Sequence, residues 1–394
     1  MNAPRRALVI GGGIAGPTLA LFLARAGVEP VVMEAYPETA NVPGGFQIAP
    51  NGLRVLAQLG LAEPLLAAAH PSRDFAFKNH HGRVIGVAHT GQAGPGANVT
   101  RESLHRLLRG AMAEQGIAVR YQKRLKDISA AGREVVATFE DGTTEVGDFL
   151  VGADGVHSRV RAWMLPDFAK PRDTQMISLG GFCAPDVKPP PDSADVDRLT
   201  FMVGPRYQFG YSKIGTAQWG WWCHAHAETE VDRHALLTMP IEDLRARMLE
   251  RYRGWSAPTE AFIRATSDWV RTAVNDVPAL PTWHKGAVVL MGDAAHAMSP
   301  AAGQGASCAL EDALVLGKLA ADRARPLEEA FSRFESVRRG RAEQMVAQGY
   351  ANDRRSLKEL GAVGMWMRDR VMMPLFSGFI ERALTKVYTG SIDS

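Results

Sequence analysis

The sequence predicts an α/β protein in which a parallel sheet with flanking helices carries an inserted antiparallel sheet and ends in helices. Three observations support this class. A glycine-rich turn joins a buried strand to a helix near the N-terminus. A stretch after residue 170 is rich in β-branched and aromatic residues. Long helical patterns fill the chain after residue 303. A strand–helix–strand unit is typical of a parallel sheet, and 394 residues suffice for two or three domains.

Composition excludes several other classes. The chain has 46% hydrophobic and 22% charged residues, which excludes an intrinsically disordered protein. The 45 basic and 42 acidic residues form no long run, so no nucleic-acid partner is expected. No uninterrupted apolar stretch is long enough to predict membrane insertion. The three cysteines are few, odd in number and far apart, so we expect no disulfide framework and a cytoplasmic location.

The first part of the chain alternates strands and helices. Apolar runs at 6–10, 29–33 and 149–151 predict buried strands, and the turn Asp141-Gly142 predicts a hairpin. Helical patterns occupy 15–26, 51–70 and 101–115.

The residue composition changes in the rest of the chain. We expect an antiparallel sheet over 176–226, a helix over 241–253, a buried strand over 287–291, and helices over 303–322 and 326–352. The segment 357–388 is expected to be helical, with a break at Pro374. The predicted division has one discontinuous domain (1–70, 97–170 and 276–340), a β-sheet domain (71–96 and 171–275) and a C-terminal helical segment (341–394).

The first motif is Gly11-x-Gly13-x-x-Gly16, which follows a strand and opens a helix. The glycines permit a tight turn and the close approach of a pyrophosphate, and the helix N-terminus favours its negative charge. Glu34 ends the second strand, where a carboxylate can bind both hydroxyls of a ribose. An acidic residue there disfavours a 2′-phosphate, so the site suits FAD or NAD.

Two more motifs follow predicted strands. Asp154 lies in Gly152-Ala153-Asp154-Gly155-x-x-Ser158-x-x-Arg161, and Asp293 lies in Gly292-Asp293-Ala294-Ala295-His296. Each places a carboxylate at the carboxyl end of a strand, where ligands bind in open α/β sheets. The chain then continues through Pro300 and Gly303-x-Gly305 into a helix.

These motifs resemble those of the single-component FAD-dependent aromatic hydroxylases, the 4-hydroxybenzoate hydroxylase-like flavoprotein monooxygenases. The resemblance runs from about residue 5 to residue 350 and includes the segments 44–53 and 99–104. It implies a glutathione-reductase-like FAD-binding domain with an inserted antiparallel β-sheet substrate domain and C-terminal helices.

The resemblance also implies which residues hold a non-covalent FAD. Asp154 belongs to the motif that the family uses for both FAD and the pyridine nucleotide. The implied cofactor-binding residues are Gly11, Gly13, Ile14, Ala15, Gly16, Glu34, Ala35, Gly45, Phe46, Arg101, Asp154, Asp293, Pro300, Gly303, Gly305 and Ala306.

The implied reaction is that of an FAD-dependent monooxygenase. NADH or NADPH reduces the flavin, O2 then gives a flavin hydroperoxide, and this oxygenates a small aromatic substrate. Epoxidation, Baeyer–Villiger insertion, oxidative decarboxylation and a flavin-binding sensor without turnover remain open, as does the choice between monomer and homodimer. A flavin halogenase is disfavoured, because the run Trp219-x-Trp221-x-Cys223-His224 lacks its Ile-Pro ending.

The substrate residues are expected on two adjacent strands, 210–214 and 219–224. Period-two alternation puts Gly220, Trp222 and His224 on one face and Cys223 on the other, so no metal site is expected. By resemblance, Ser212, Ile214, Gly220 and Trp222 face the substrate, and Ile214 replaces a carboxylate-binding arginine. We therefore expect a fairly large apolar or phenolic substrate, with space for its ring above Gly220.

Three residues are expected to take part in catalysis: Trp222 as an apolar wall, Pro300 beside the flavin ring, and His224. His224 is expected to bind a phenol or help deprotonate it, and the alternative is a histidine that only packs in the sheet.

Overall fold

The computed structural model describes residues 5–39, 43–90, 93–131 and 134–390. Its framework is a six-stranded sheet in which every neighbouring pair is parallel except the antiparallel edge pair. In spatial order the strands, numbered along the chain, are β18 (His284–Lys285), β19 (Val288–Leu290), β12 (Phe149–Gly152), β1 (Arg6–Ile10), β2 (Glu29–Met33) and β8 (Ala118–Arg120). All three glycine-containing motifs therefore leave adjacent strands at one edge of this sheet.

Helices cover this sheet. The first motif leads into α1 (Ala15–Arg25), which packs against the apolar helix α10 (Gly305–Ala321). Gly317 of α10 allows close contact with Phe22 of α1. The helices of this part are α1 (Ala15–Arg25), α2 (Pro50–Gln58), α3 (Ala62–Ala67), α4 (Arg101–Glu114), α5 (Arg159–Met164), α9 (Asp293–His296) and α10 (Gly305–Ala321). The single helix expected over 51–70 is wrong, because the chain turns at Gly60, whose φ is +74°.

The aromatic-rich stretch forms most of a seven-stranded sheet. Its pairs are antiparallel except for the parallel pair β14–β5. In spatial order the strands are β17 (Thr266–Asp276), β13 (Arg172–Cys183), β16 (Gln218–His226), β15 (Gln208–Ile214), β14 (Arg198–Val203), β5 (Asp74–Asn79) and β6 (Val84–His89). One face packs a second core against α6 (Glu230–Thr238), α7 (Ile241–Arg251) and α8 (Thr259–Arg264).

Two small antiparallel sheets complete the strands. One consists of β3 (Gly45–Ile48), β7 (Gly96–Thr100) and β4 (His70–Ser72), and the other of β11 (Thr144–Gly147), β10 (Glu134–Phe139) and β9 (Leu125–Ala131). The expected hairpin around Asp141-Gly142 is present as the pair β10–β11.

The C-terminal part is helical. Helix α11 (Leu327–Ser356) is followed by α12 (Ala362–Met367), a π-helical turn (Arg368–Met372) and α13 (Met373–Thr389). The expected break at Pro374 is present as a change of hydrogen-bonding pattern, since the π-helical turn ends at Met372 and this proline lies in the first turn of α13. Within the described ranges, no helix combines the length and apolar character that a membrane crossing requires.

A buried ionic network joins α10 and α11 to the third motif. Asp312 accepts hydrogen bonds from the Gly292 backbone N–H at 2.9 Å and from Arg338 Nε at 2.7 Å, and its Oδ2 lies 2.6 Å from His296 Nε2. Glu311 pairs with Arg338 at 2.8 Å and with Arg341 at 2.9 Å. Burial acts to raise the pKa of Asp312, but the facing His296 and Arg338 outweigh it and lower the pKa to about 2.

We expect Asp312→Asn to destabilise the fold by about 3 kcal/mol, because it leaves a buried guanidinium with only one carboxylate partner. Urea unfolding of both proteins measures the difference. The sign of the pH dependence follows from the lowered pKa. The contribution of Asp312 is complete above its ordinary value of 3.8 and is lost as the pH falls towards 2, so the variant should lose less stability over that interval.

Glu260→Gln is the matched control, because it removes one carboxylate from the exposed pair between Glu260 and Arg264. Such exposed pairs contribute about 0.2–1 kcal/mol. Equal losses in the two variants would show that the buried network does not hold these elements together.

Candidate active site

A continuous cavity of about 2130 Å³ connects the three motifs with the seven-stranded sheet. Gly16, the second residue of α1, is the expected site residue outside its lining. The expected residues that line it are Gly11, Gly13, Ile14, Ala15, Glu34, Ala35, Gly45, Phe46, Arg101, Asp154, Ser212, Ile214, Gly220, Trp222, His224, Asp293, Pro300, Gly303, Gly305 and Ala306.

The glycines of the first motif have two separate roles. Gly11 has a φ of +116°, and a Cβ there would lie 2.2 Å from the Ala153 carbonyl oxygen. A Cβ on Gly16 would lie 2.0 Å from the Gly11 carbonyl oxygen, so both glycines serve backbone packing. A Cβ on Gly13 would meet no atom within 4 Å. Gly13 therefore leaves the backbone open to the cavity.

The N-terminus of α1 is suited to an anion. No side chain caps it, and no acidic residue lies in its first turn. The first backbone N–H groups of a helix lack helical acceptors and carry partial positive charge. This turn can accordingly hold the pyrophosphate of a dinucleotide.

Glu34 lies at the end of β2, on the same cavity wall. Its Oε2 accepts from the Gly12 N–H at 2.6 Å and its Oε1 from the Tyr36 N–H at 2.9 Å. These bonds orient the carboxylate, and each oxygen keeps acceptor capacity for a ribose hydroxyl.

A cationic group and a carboxyl group face the middle of the cavity. Arg101 begins α4, its Cζ lies 5.7 Å from the centre of the Phe46 ring, and its buried Nε has no partner within the described ranges. Asp293 is open to the cavity, but desolvation by the surrounding protein raises its pKa, while the charges of His296 and Arg101 act to lower it. Burial beside Arg101 also lowers the pKa of His105 to about 4, so this imidazole is neutral at neutral pH. The unpaired Arg101 donor fits an anionic or carbonyl-bearing ligand.

Asp154 lines the cavity, but its carboxylate serves the fold. It accepts from Ser158 Oγ at 2.5 Å and from the backbone N–H groups of Arg159 and Val160 at 2.7 and 3.2 Å. Arg161 of the same motif donates to the carbonyl of Ala294 at 2.9 Å. The second motif thus holds α5 and α9 together.

The segment after α9 forms a further wall. Pro300 begins a short 3-10 turn (Pro300–Ala302), and Gly303 follows with a φ of +64°. The chain then enters α10. The N-terminus of this helix has no side-chain cap, and the first helical turn contains no acidic residue. Gly305 and Ala306 of that turn line the cavity, so a second set of helical N–H groups is available to a ligand.

The expected face of the seven-stranded sheet forms the far wall. Gly220 and Ser212 are opposite each other across β16 and β15, and Trp222 is opposite Gly210. A Cβ on Gly210 would lie 2.2 Å from the Trp222 ring, so glycine lets the indole lie flat on the sheet. The expected space above Gly220 is wrong, because a Cβ there would lie 2.4 Å from Ile214 Cδ1. Ile214 fills this position.

The residues between them belong to the opposite face. Trp221 is 2% exposed, its ring centre lies 5.1 Å from that of Phe209, and its Nε1 donates to Thr266 at 2.8 Å. Cys223 is buried in the same core. In the described part of the chain, no group of side chains is arranged to hold a metal ion.

Helix α11 supplies cavity residues that sequence reasoning missed. Gln348, Asn352 and Asp353 line the cavity, and Asn352 Nδ2 donates to the Ala301 carbonyl at 3.0 Å. Asp353 Oδ1 lies 3.6 Å from Nδ1 of His224. One signal was present in the sequence, namely a single acidic residue in the last turn of a long helix, ahead of Arg354 and Arg355.

The fold and site define a protein with a dinucleotide-binding type of turn at the carboxyl edge of a parallel sheet, and with one cavity that extends from this edge to the seven-stranded sheet. The family model described as "FAD binding domain" matches residues 5–349, so the chain belongs to this family.

Its relatives specify the class further. The chain is 30% identical to the aurachin C monooxygenase/isomerase of Stigmatella aurantiaca, with 95% of both chains covered. It is 29% identical to the 6-hydroxynicotinate 3-monooxygenase of Pseudomonas fluorescens, with 88% of this chain and 90% of the relative covered. The protein is therefore an oxidoreductase of the FAD-dependent aromatic monooxygenase class, as the motifs predicted.

A solved structure shares the fold. The structure of Klebsiella pneumoniae HpxO complexed with FAD and uric acid superposes with a TM-score of 0.79 at 23% identity, covering 98% of this chain and 96% of that chain. This similarity confirms an FAD-binding monooxygenase fold of mixed α/β content with antiparallel sheets.

We expect Gly13→Ala to weaken FAD binding by about tenfold, equivalent to about 1.4 kcal/mol, without changing the stability of the protein freed of FAD. The reason is that the added methyl group enters the cavity and touches no protein atom. Quenching of flavin fluorescence on titration into the FAD-free protein measures the affinity.

Gly11→Ala is the contrasting variant, because its Cβ collides with backbone. It should unfold at lower temperature whether or not FAD is present. If Gly13→Ala bound FAD as tightly as the parent, the pyrophosphate would not lie over this turn.

Proposed function

We propose that this protein is an NADH- or NADPH-dependent hydroxylase of a ring-hydroxylated aromatic or heteroaromatic compound. The observation that carries the proposal is the continuity of the cavity, which joins the motif edge of the six-stranded sheet to the Trp222 face of the seven-stranded sheet. A cofactor along the first wall and a substrate on the second would share one chamber. The proposed division gives FAD to residues 1–70, 97–170 and 276–340, in a glutathione-reductase-like arrangement. It gives the substrate to 71–96 and 171–275.

The residues present fit a non-covalent FAD. The first turn of α1 would hold the pyrophosphate, Glu34 the adenosine ribose, and Arg101 and Asp293 the central part of the cofactor. Gly45, Phe46, Pro300 and the first turn of α10 would surround the ring system. When bound, FAD supplies the redox chemistry and the activation of O2. The protein supplies orientation and the exclusion of water.

The substrate wall favours a flat, mostly apolar ring. Trp222 contacts Phe201 edge to face, with ring centres 5.7 Å apart, and Phe75, Phe77 and Leu199 line the same cavity. Aromatic pairs contribute about 0.5–1.5 kcal/mol beyond burial. Ile214 offers no charge to a carboxylate.

The relatives support a substrate with an ionisable ring group. The name of the Pseudomonas fluorescens relative specifies a hydroxypyridine acid, and HpxO was solved with uric acid, which has acidic ring N–H groups. Two separate polar residues of this wall, Ser212 opposite Gly220 and His224 four residues further along β16, each suit such a group. Ser212, Ile214, Gly220, Trp222 and His224 are the proposed substrate residues.

The proposal is tested by measuring NADH and NADPH oxidation and O2 consumption by the FAD-loaded protein with 2-naphthol, 6-hydroxynicotinate and uric acid. We expect at least one probe to stimulate reductant oxidation and to yield a product with one oxygen atom from isotopically labelled O2. Oxygen inserted elsewhere, or loss of CO2, would identify epoxidation, Baeyer–Villiger insertion or oxidative decarboxylation instead. Equal, slow oxidation with every probe would contradict the proposal that the substrate is a ring-hydroxylated aromatic or heteroaromatic compound.

We expect Trp222→Ala to keep FAD and fold while substrate-stimulated oxidation falls about tenfold, because the apolar wall is lost. Trp221→Ala is the matched variant on the opposite face. It should lose about 3–5 kcal/mol of stability, since it empties a packed core position. Oxygen uptake and thermal unfolding separate the two effects. Unchanged turnover in Trp222→Ala would contradict the placement of the substrate on this face.

A further inference from the structure

Asp353 is a buried carboxylate without a hydrogen-bond donor. Its side chain is 2% exposed, and neither oxygen has a partner within the described ranges at hydrogen-bonding distance. A buried, unpaired carboxylate costs several kcal/mol unless something compensates its charge. The facing group is His224, whose Nδ1 lies 3.6 Å away, which is ion-pair range but too long for a hydrogen bond.

The position of Asp353 in its helix is also unfavourable. It lies in the last turn of α11, where the helix dipole disfavours negative charge and where Arg354 and Arg355 are the expected kind of residue. Neither burial nor helix electrostatics therefore explains an acid at this place. Such conflicts between local rules and structure occur at functional sites.

Among the described residues, Asp353 is the carboxylate that lies within ion-pair distance of His224. The other elements packed around His224 contribute the following groups. Arg251 of α7 donates to the His224 carbonyl at 3.0 Å, and Arg355 of α11 lines the cavity. Arg172 of β13 is held by Asp276 of β17 through two hydrogen bonds at 2.7 and 2.8 Å. On the adjacent strands, His224 is opposite the uncharged Ser178, and Thr272 follows in β17.

We propose that Asp353 is a positioning residue that makes His224 the proton acceptor for an ionisable O–H or N–H of the substrate. The inference rests on the proposed function. The proton leaves the substrate atom and binds Nε2, which is the ring nitrogen left for a ligand because Nδ1 faces Asp353. The electron pair of the broken bond stays on the substrate and enriches its ring. The carboxylate stabilises the imidazolium, and the proton returns when the product leaves.

The pair also restricts the substrate class. A ring without an acidic hydrogen offers no proton to His224, and the negative charge of Asp353 then stays uncompensated. We therefore infer that phenols, hydroxypyridines and cyclic amides are selected over unsubstituted arenes of the same size, because the wrong ligand leaves buried polar groups unpaired.

The test uses the FAD-loaded protein and 4-nitrophenol, whose phenolate absorbs visible light more strongly than the phenol. At a pH where the free probe is mostly protonated, difference spectra should show the bound probe as phenolate. Asp353→Asn and His224→Gln should each weaken binding about tenfold and abolish the phenolate band, while Asp353→Glu should restore much of it. Glu359→Gln, which removes an exposed carboxylate beyond α11, should change neither.

Stability distinguishes positioning from packing. Asp353→Asn should unfold at the same temperature as the parent or higher, because it removes an uncompensated charge. A loss of stability in Asp353→Asn with an unchanged phenolate band would overturn the inference, as would failure of the parent to bind the probe as phenolate. If the Asp353 and His224 variants turned over a substrate as fast as the parent does, the role of this pair would be rejected and the hydroxylase activity would stand. A phenolate band without turnover of any aromatic would reject the hydroxylase and keep the pair.

Discussion

The buried ion pair between Asp312 and Arg338 is the interaction on which the arrangement of this protein depends. It holds α10 against α11, and the second oxygen of Asp312 holds the backbone of Gly292, where the third motif leaves the central sheet. Removal of one partner would leave the other charge buried and uncompensated, so the two helices and the third motif are held together by contacts that depend on one another. The same long helix then reaches the seven-stranded sheet, where Asp353 faces His224. One helix therefore connects the motif edge of the six-stranded sheet with the Trp222 face of the seven-stranded sheet.

Charge is distributed along the cavity according to what each part has to bind. Uncapped helix N-termini and Arg101 line the part next to the central sheet, where partial and full positive charge favours phosphates and carbonyl groups. The wall on the seven-stranded sheet is aromatic and includes His224, which faces Asp353 of α11. The neutral His105 keeps a further positive charge away from Arg101. The two parts of one cavity thus differ in charge, as the proposed placement of an elongated polar cofactor and a flat substrate requires.

Several motif residues hold the fold more than they present groups to a ligand. Asp154 accepts three hydrogen bonds at the start of α5, and Gly11 and Gly16 permit backbone contacts that no side chain would allow. These positions fix the turn that we propose holds the pyrophosphate, whereas Gly13 leaves space in front of it. Asp353 is the opposite case, because its local environment opposes its charge and the adjoining ligand site gives it a role. Stability and binding are thus assigned to different residues of the same walls.

The sequence by itself determined the order of the elements, the dinucleotide turn and the two faces of β16. These features depend on residues close together in the chain, such as glycine spacing and period-two alternation, which act before any distant contact forms. Three results were decided only by the tertiary structure. Ile214 fills the position above Gly220, the carboxylate oxygens of Asp154 accept hydrogen bonds at the start of α5, and Asp353 lies beside His224. Each of these results from side chains on different elements competing for one space. The spacing of residues along the chain does not predict which of these distant side chains occupies the space.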